Sequence, residues 1–342
     1  MKITEHIEGE EINTDIIRHR HTAIASLCEA IQNETVEPPR LLEATLAMIL
    51  FQSAVGAADD ELPDIPWHAH FEAVADLANK VLELTPYNNY HHGGHQAAFN
   101  MTLAYWIDIL GATTMRRVPI FSDTYRDRIE SDMPSGLAEL MGCDDRIMYL
   151  ISEIVCLDTL KHTVDMDQDT LCQHIENLGI RLSYTEFGPA ELGPIHTTDT
   201  SAIRPRQLSR NITALFRLAA RIYLCSLIPD FNSEGALVIE LVNKFTDALA
   251  YMPMGANGFD RALVWPLLVA GSVAGPTMTF RTVFKDRVSQ LGEASGLGSF
   301  NTVQQLLNEV WQINDENITQ GVPDRVTWRD VMVGKGLNSL II

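Results

Sequence analysis

The residues best suited to chemistry form one loop, His91-His92-Gly93-Gly94-His95, preceded by Tyr87-Asn88-Asn89-Tyr90. Three imidazoles could hold zinc or nickel if that loop folded back, because neutral imidazole is a common ligand of both metals. The two glycines and two asparagines favour a turn between helices instead, and no H-E-x-x-H spacing is present to fix a ligand geometry. His19 with His21, and His68 with His70, are H-x-H pairs; residues two apart on a helix face different ways, so neither pair chelates there. A hydrolase calls for G-x-S-x-G at a strand-to-helix elbow, which the chain lacks. The nearest approach to a phosphate loop, Gly292 to Gly298, has no lysine and follows no strand, so it reads as a helix C-cap and loop. Carboxylates such as Asp59-Asp60-Glu61, or Asp123, Asp127 and Glu130, read as a solvated face.

Whatever these residues do, the chain around them is built to fold. Its 342 residues exceed the ~250–300 at which a single core usually stops growing, so one elaborated domain or two fused helical layers both fit. With 46% hydrophobic and 20% charged residues, disorder and low complexity are excluded. Asp and Glu number 45 against 25 Lys and Arg, a net charge of −20, so a polyphosphate is repelled and direct nucleic-acid binding is not expected. The cysteines (28, 143, 156, 172 and 225) are odd in number and form no C-x-x-C pair; they read as reduced, mostly buried small hydrophobes. The charged start, Met1 to Glu8, carries no secretory signal, so the Asn-x-Thr triplets at 33, 100, 211 and 317 go unused and an intracellular location is expected. The most apolar stretch, Ala262 to Ala274, is short of the ~20 residues of a membrane span, contains Pro266, and is expected to be a buried helix.

Apolar residues recur at helical spacing almost throughout. Ile147, Leu150, Ile151, Ile154 and Val155 predict a helix capped by Asp144 and Asp145; Val303, Leu306, Leu307, Val310 and Trp311 predict another, with Asn301 and Gln304 as its capping box. Leu208 to Tyr223 and Phe280 to Leu291 give two more, and Thr327 with Asp330 boxes a short helix that ends at Gly334. Further helices are expected over 15–32, 41–55, 67–84, 96–110, 121–130, 170–178 and 236–251. Only 180–187 alternates like a strand, and it has nothing to pair with. The expectation is an all-α array of packed antiparallel helices in two halves: an N-terminal segment (1–39), an N-terminal half (40–178), a linker (179–204) and a C-terminal half (205–342).

Arg261 stands at the edge of Ala262-Leu263-Val264-Trp265-Pro266-Leu267-Leu268-Val269-Ala270-Gly271, a segment apolar on every face whose proline must kink a helix or begin one. Arg281 follows, and a half-buried arginine needs a carboxylate or carbonyl partner. The order of this segment, then Arg281, then Val303 to Trp311, then Trp328-Arg329-Asp330-Val331-Met332, resembles the C-terminal part of the fungal-specific transcription factor domain, the regulatory region of fungal Zn(II)2Cys6 binuclear-cluster proteins. Trp67 to Ala73, Tyr105 to Leu110 leading to Pro119, and Gly142 to Asp145 leading to Glu153 agree with it, over roughly 40–335.

The resemblance implies an all-helical domain in the nucleus (cytoplasmic otherwise) that controls RNA polymerase II transcription. Its expected partners are transcriptional co-regulators or a second copy of itself, with a small-molecule effector held between the halves, and no membrane. No Cys-x-x-Cys-x6-Cys array is present, so zinc and DNA binding belong to a head outside this sequence; the chain is expected to be a fragment or a headless paralogue, with no cofactor and no catalytic set of its own. The resemblance marks Trp67, His70, Asp108, Pro119, Glu153, Arg261, Trp265, Pro266, Gly271, Arg281, Glu309, Trp311 and Trp328 as structural or pocket-lining. The competing reading is a helical metal-dependent enzyme using His91, His92 and His95. A scaffold that dimerises through exposed helices is a third.

Overall fold

Helix formation follows the apolar spacing. The computed structural model describes residues 9–33, 36–55, 66–84, 95–186, 188, 192–196, 202–322 and 325–342. Among these it contains fourteen α-helices, two short 3-10 turns and no strand; an isolated bridge pairs His196 with Ile203. The N-terminal part holds α1 (Gly9–Gln32), α2 (Pro38–Val55), α3 (Trp67–Leu84), α4 (His95–Met115), α5 (Ser122–Glu130), α6 (Leu137–Met141), α7 (Asp145–Thr163) and α8 (Gln168–Ser183). The C-terminal part holds α9 (Pro205–Cys225), α10 (Ala236–Leu249), a 3-10 turn (Asp260–Leu263), α11 (Val264–Ser272), α12 (Thr279–Leu291), a second turn (Gly292–Gly296), α13 (Gly298–Gln320) and α14 (Trp328–Gly334).

Local chemistry sets several of these ends. Asp144 caps α7 by accepting from the Arg146 N–H at 2.8 Å, with Asp145 in the first turn and Lys161 and His162 in the last, each matched to the helix dipole. The Thr327 and Asp330 capping box forms, holding the start of α14. Between α13 and α14 the Asn314 side chain bonds both the N–H and the C=O of Val326, replacing a ladder the loop lacks.

Packing is organised about α9, which touches α7, α8, α10 and α11. Helices α2 and α3 pair and rest on α4, α4 packs on α7, and α13 returns from α11 to α2, so the last long helix closes on the second. One apolar core runs without a break from Leu41 to Ile341. Helix α11 lies inside it, which is why it can be apolar on every face: Val264 to Gly271 are all buried. Pro266 occupies the third position of α11, where an N–H would have no intrahelical acceptor, so it begins a helix and does not kink one. Trp265 lies 5.8 Å from Phe216 and donates from its indole N–H to Thr113 on α4 at 2.9 Å.

Gly271 marks the closest crossing of α11 with α13. A Cβ there would lie 2.7 and 2.9 Å from the two Leu307 methyls and 2.9 Å from Phe280 Cε1, while the Gly271 C=O accepts from the Trp311 indole at 2.8 Å. Alanine would gain ~1 kcal/mol of helix propensity. Leu307 and Phe280 are fully buried and have nowhere to go, so overpacking of about 1–3 kcal/mol outweighs that gain. Gly271→Ala is therefore expected to lower the urea midpoint; an unchanged or higher midpoint would show that the crossing yields.

The structure departs from the sequence expectation in four places. Helix α13 starts at Gly298, so Asn301 and Gln304 lie inside it and form no capping box. Tertiary contacts take the first turn inward: the Ser299 hydroxyl donates to Leu340 O at 3.0 Å, and Phe300 stacks on Phe284. The alternating stretch at 180–187 begins as the last turn of α8, because Leu178 and Leu182 are buried on one helical face; Phe187 lies outside the described residues. Helix α6 was not expected, since five residues between the left-handed Gly136 and Gly142 show no period. Of the cysteines only Cys143 and Cys156 are buried; Cys225 is half-buried, and Cys28 and Cys172 are exposed.

Candidate functional site

The thirteen marked residues do not converge on one centre. Gly271, Arg281 and Trp311 meet where α11, α12 and α13 join. The Arg281 guanidinium holds both oxygens of Asp315 at 2.6 and 2.8 Å, donates to Ala274 O at 3.0 Å and lies 4.9 Å over the Trp311 ring. The half-buried arginine thus has both a carboxylate and a carbonyl partner. Glu309 pairs with Lys335 just beyond α14. Asp108 and buried Pro119 form the α4–α5 corner, and Glu153 on α7 accepts from Arg126 on α5 at 2.8 Å. The Trp67 ring packs against Gly111, where a Cβ would sit 2.4 Å from it, and His70 is buried beside it, its imidazole pushed down by burial and by Arg20. Trp265 and Pro266 are core. Of the thirteen, Trp328 lines one of the two cavities described below and Arg261 the other.

Trp328 leads to a polar cavity of about 550 Å³ lined from α7, α9, α11, α13 and α14. Its organising group is Asp158 on α7, buried where α7 packs on α9. The Asp158 carboxylate accepts from the Tyr223 hydroxyl of α9 at 2.6 Å, with Arg329 at 3.3 Å, His162 at 3.3 Å and Arg116 at 3.6 Å around it. Burial pushes the Tyr223 phenol well up, and Asp158 adds to this while Arg329 opposes it, so the hydroxyl stays a donor. Arg329 is fixed by the α14 cap. It donates from Nε and Nη2 to Thr113 O at 2.8 and 2.6 Å and to the Tyr223 hydroxyl at 2.9 Å, and its plane covers the Tyr223 and Trp328 rings at 5.1 and 4.4 Å.

Arg116 arrives by a less favourable route. It follows the last residue of α4 with φ 48°, while the Arg117 N–H reaches back to Ala112 O at 3.3 Å, a cap in which glycine is the usual occupant. A non-glycine there costs about 1–3 kcal/mol and holds only where the surroundings fix it. Lys161 donates to Leu227 O at 3.0 Å on the same wall. Burial pushes Arg325 down, and its Nη1 is buried without a hydrogen-bond partner; so is the Ser233 hydroxyl.

A second, larger cleft of about 880 Å³ lies between α2, α4, α6, α9, α11 and α13. Trp106, Leu208, Phe259 and Phe300 make it apolar, with exposed Arg261 at its edge. Two of its hydroxyls are occupied: Ser209 donates to Gly142 O at 2.9 Å and Ser299 to Leu340 O.

Asp158, Tyr223, Arg116 and Arg329 were not singled out by sequence reasoning. Arg329 stood inside the Trp328-Arg329-Asp330 motif and could have been taken with it. The others carry no local signal. His91 and His92 lie outside the described residues, and of His95 only its backbone, as the first residue of α4, is described. Among the described residues no three His, Cys, Asp or Glu side chains gather to hold a metal, and no helix is long and apolar enough to cross a membrane.

The profile of the fungal specific transcription factor domain matches residues 2–342. The chain is similar to the transcriptional regulatory protein pro1 of Neurospora crassa, with 44% identity over 364 aligned positions that cover all of this chain and 52% of that protein. The chain thus spans about half the length of that relative. No solved structure matches.

Proposed function

Because the chain belongs to the fungal-specific transcription factor domain family, we propose that it is the effector-responsive, partner-contacting part of a regulator of RNA polymerase II transcription that works in the nucleus. It is a fungal transcription-regulatory domain, and we read it as non-catalytic. Its contacts would be transcriptional co-regulators or a second copy of itself, and a net charge of −20 argues that DNA phosphates are met by other residues.

The observation that carries the effector-response reading is the polar cavity, because its walls belong to both halves of one continuous core. A ligand held by Arg116 and α7 on one side and by α9 and α14 on the other acts on the joint between them. It can bias any second arrangement of the halves by its differential affinity for the two. Tethering the chain to a heterologous DNA-binding module and measuring a reporter tests the function. A several-fold change that depends on nutrient condition is expected; no effect under any condition would overturn the reading.

A further inference from the structure

Arg116, Lys161, Arg325 and Arg329 line the polar cavity against one carboxylate, Asp158. Four basic side chains thus line one cavity in a chain whose net charge is −20. Asp158 cannot satisfy them all. It is taken by Tyr223 and Arg329, and Arg116 Nε stays 3.6 Å away, beyond hydrogen-bond reach. Arg325 has Glu234 and Asp315 in its field, but Asp315 is already gripped at both oxygens by Arg281, whose own charge opposes Arg325.

Unfilled donors on one wall point to a missing acceptor. Arg325 Nη1 has no hydrogen-bond partner, and neither has the Ser233 hydroxyl, although Ser233 is only 4% exposed. Buried donors of this kind are costly to leave unmade. Arg116 is held in a left-handed backbone that glycine would adopt freely, as residues at ligand clamps often are. The cavity's volume falls within the range of small-molecule sites, and Val269 and Trp328 give it an apolar side.

We propose that this cavity binds a small oxyanion ligand, a metabolite-sized molecule whose carboxylate or phosphate sits among Arg116, Arg325, Arg329 and Lys161. Ser233 donates a further hydrogen bond, and the ligand's carbon skeleton lies against Val269 and Trp328. This names the chemical class of the effector and rests on the effector-response reading for its regulatory meaning, while binding is measurable without transcription.

The test is calorimetric titration of the chain with inorganic phosphate and with citrate, each against sodium chloride at equal ionic strength, for the wild type, Arg116→Gly and Arg325→Met. Glycine suits the left-handed position, and methionine keeps the apolar stem of a side chain whose Nη1 bonds nothing, so both variants retain the fold. Saturable binding of at least one probe is expected, weakened about 10- to 100-fold in each variant by the loss of a charge-assisted hydrogen bond. Binding of phosphate alone identifies a phosphate-bearing ligand, and of citrate alone a carboxylate. No binding above chloride, or equal affinity in wild type and both variants, overturns the site. Weakened binding with an unchanged tethered reporter would leave the site standing and sink the regulatory reading.

Discussion

Arg287→Met is expected to lower the unfolding free energy by about 3–5 kcal/mol, a large share of the ~5–15 kcal/mol typical of a domain. Arg287 is 1% exposed and pairs through Nη1 with Asp260, which is fully buried, while its Nη2 donates to Leu249 O and to Met252 O, the latter at 2.9 Å. Without the guanidinium, Asp260 becomes an uncompensated charge in the core, the Met252 carbonyl beyond α10 loses the Arg287 donor, and Leu249 O keeps only the Met252 N–H. Asp260 has little in reserve, because its Oδ2 already lacks a hydrogen-bond partner. Replacing both partners, as Asp260→Leu with Arg287→Met, removes the charge as well and should recover much of the loss. Urea denaturation of the two singles and the double measures this. A single Arg287→Met within about 0.5 kcal/mol of wild type would mean that water reaches Asp260. The consequence for the site is direct, since Asp260 begins the 3-10 turn that carries Arg261 and leads into α11, one wall of the apolar cleft.

This pair also shows where the sequence stops being readable. Asp260 and Arg287 are 27 residues apart, and nothing in either neighbourhood announces a buried charge. Helices α7 and α14 were legible because apolar spacing and a local cap agree there. The start of α13 was not: Asn301 and Gln304 spell a capping box, but Ser299 and Phe300 make tertiary contacts worth more than a cap, and the helix lengthens to meet them. The family motifs found the joints of the fold better than its cavity. Gly271, Arg281 and Trp311 fall in recognisable family segments that meet in space, whereas Arg329 reaches Thr113 across 216 positions and Arg116 owes its place to a backbone angle. Such a cavity is assembled by topology, and composition gave no hint of cations gathered inside so acidic a chain.

Asp108→Ala should come close to the loss at Arg287, for a different reason. One buried carboxylate there satisfies four donors. Its Oδ1 accepts from the Ile120 N–H at 3.0 Å and from Arg117 at 3.2 Å; its Oδ2 accepts from the Phe121 N–H and the Tyr125 hydroxyl, both at 3.0 Å. These contacts turn the chain from α4 into α5 at Pro119. Arg117 and the Ile120 amide can turn to water when the carboxylate goes. The Phe121 amide and the fully buried Tyr125 hydroxyl cannot, and an unmade buried donor costs about 1–3 kcal/mol each, so roughly 2–6 kcal/mol is expected in all. Asp108→Asn should fall between wild type and alanine, since its one carbonyl oxygen can serve one side of the corner while its NH2 faces donors on the other. A double-mutant cycle isolates the buried share: Tyr125→Phe removes one stranded donor, so Asp108→Ala should cost less in that background, with a coupling of about 0.5–3 kcal/mol. Additive effects would show that the Tyr125 hydroxyl finds another acceptor. Hydrogen exchange supplies the second readout. The Phe121 amide should lose protection in Asp108→Ala, and full protection there would refute the claim that this carboxylate holds the corner.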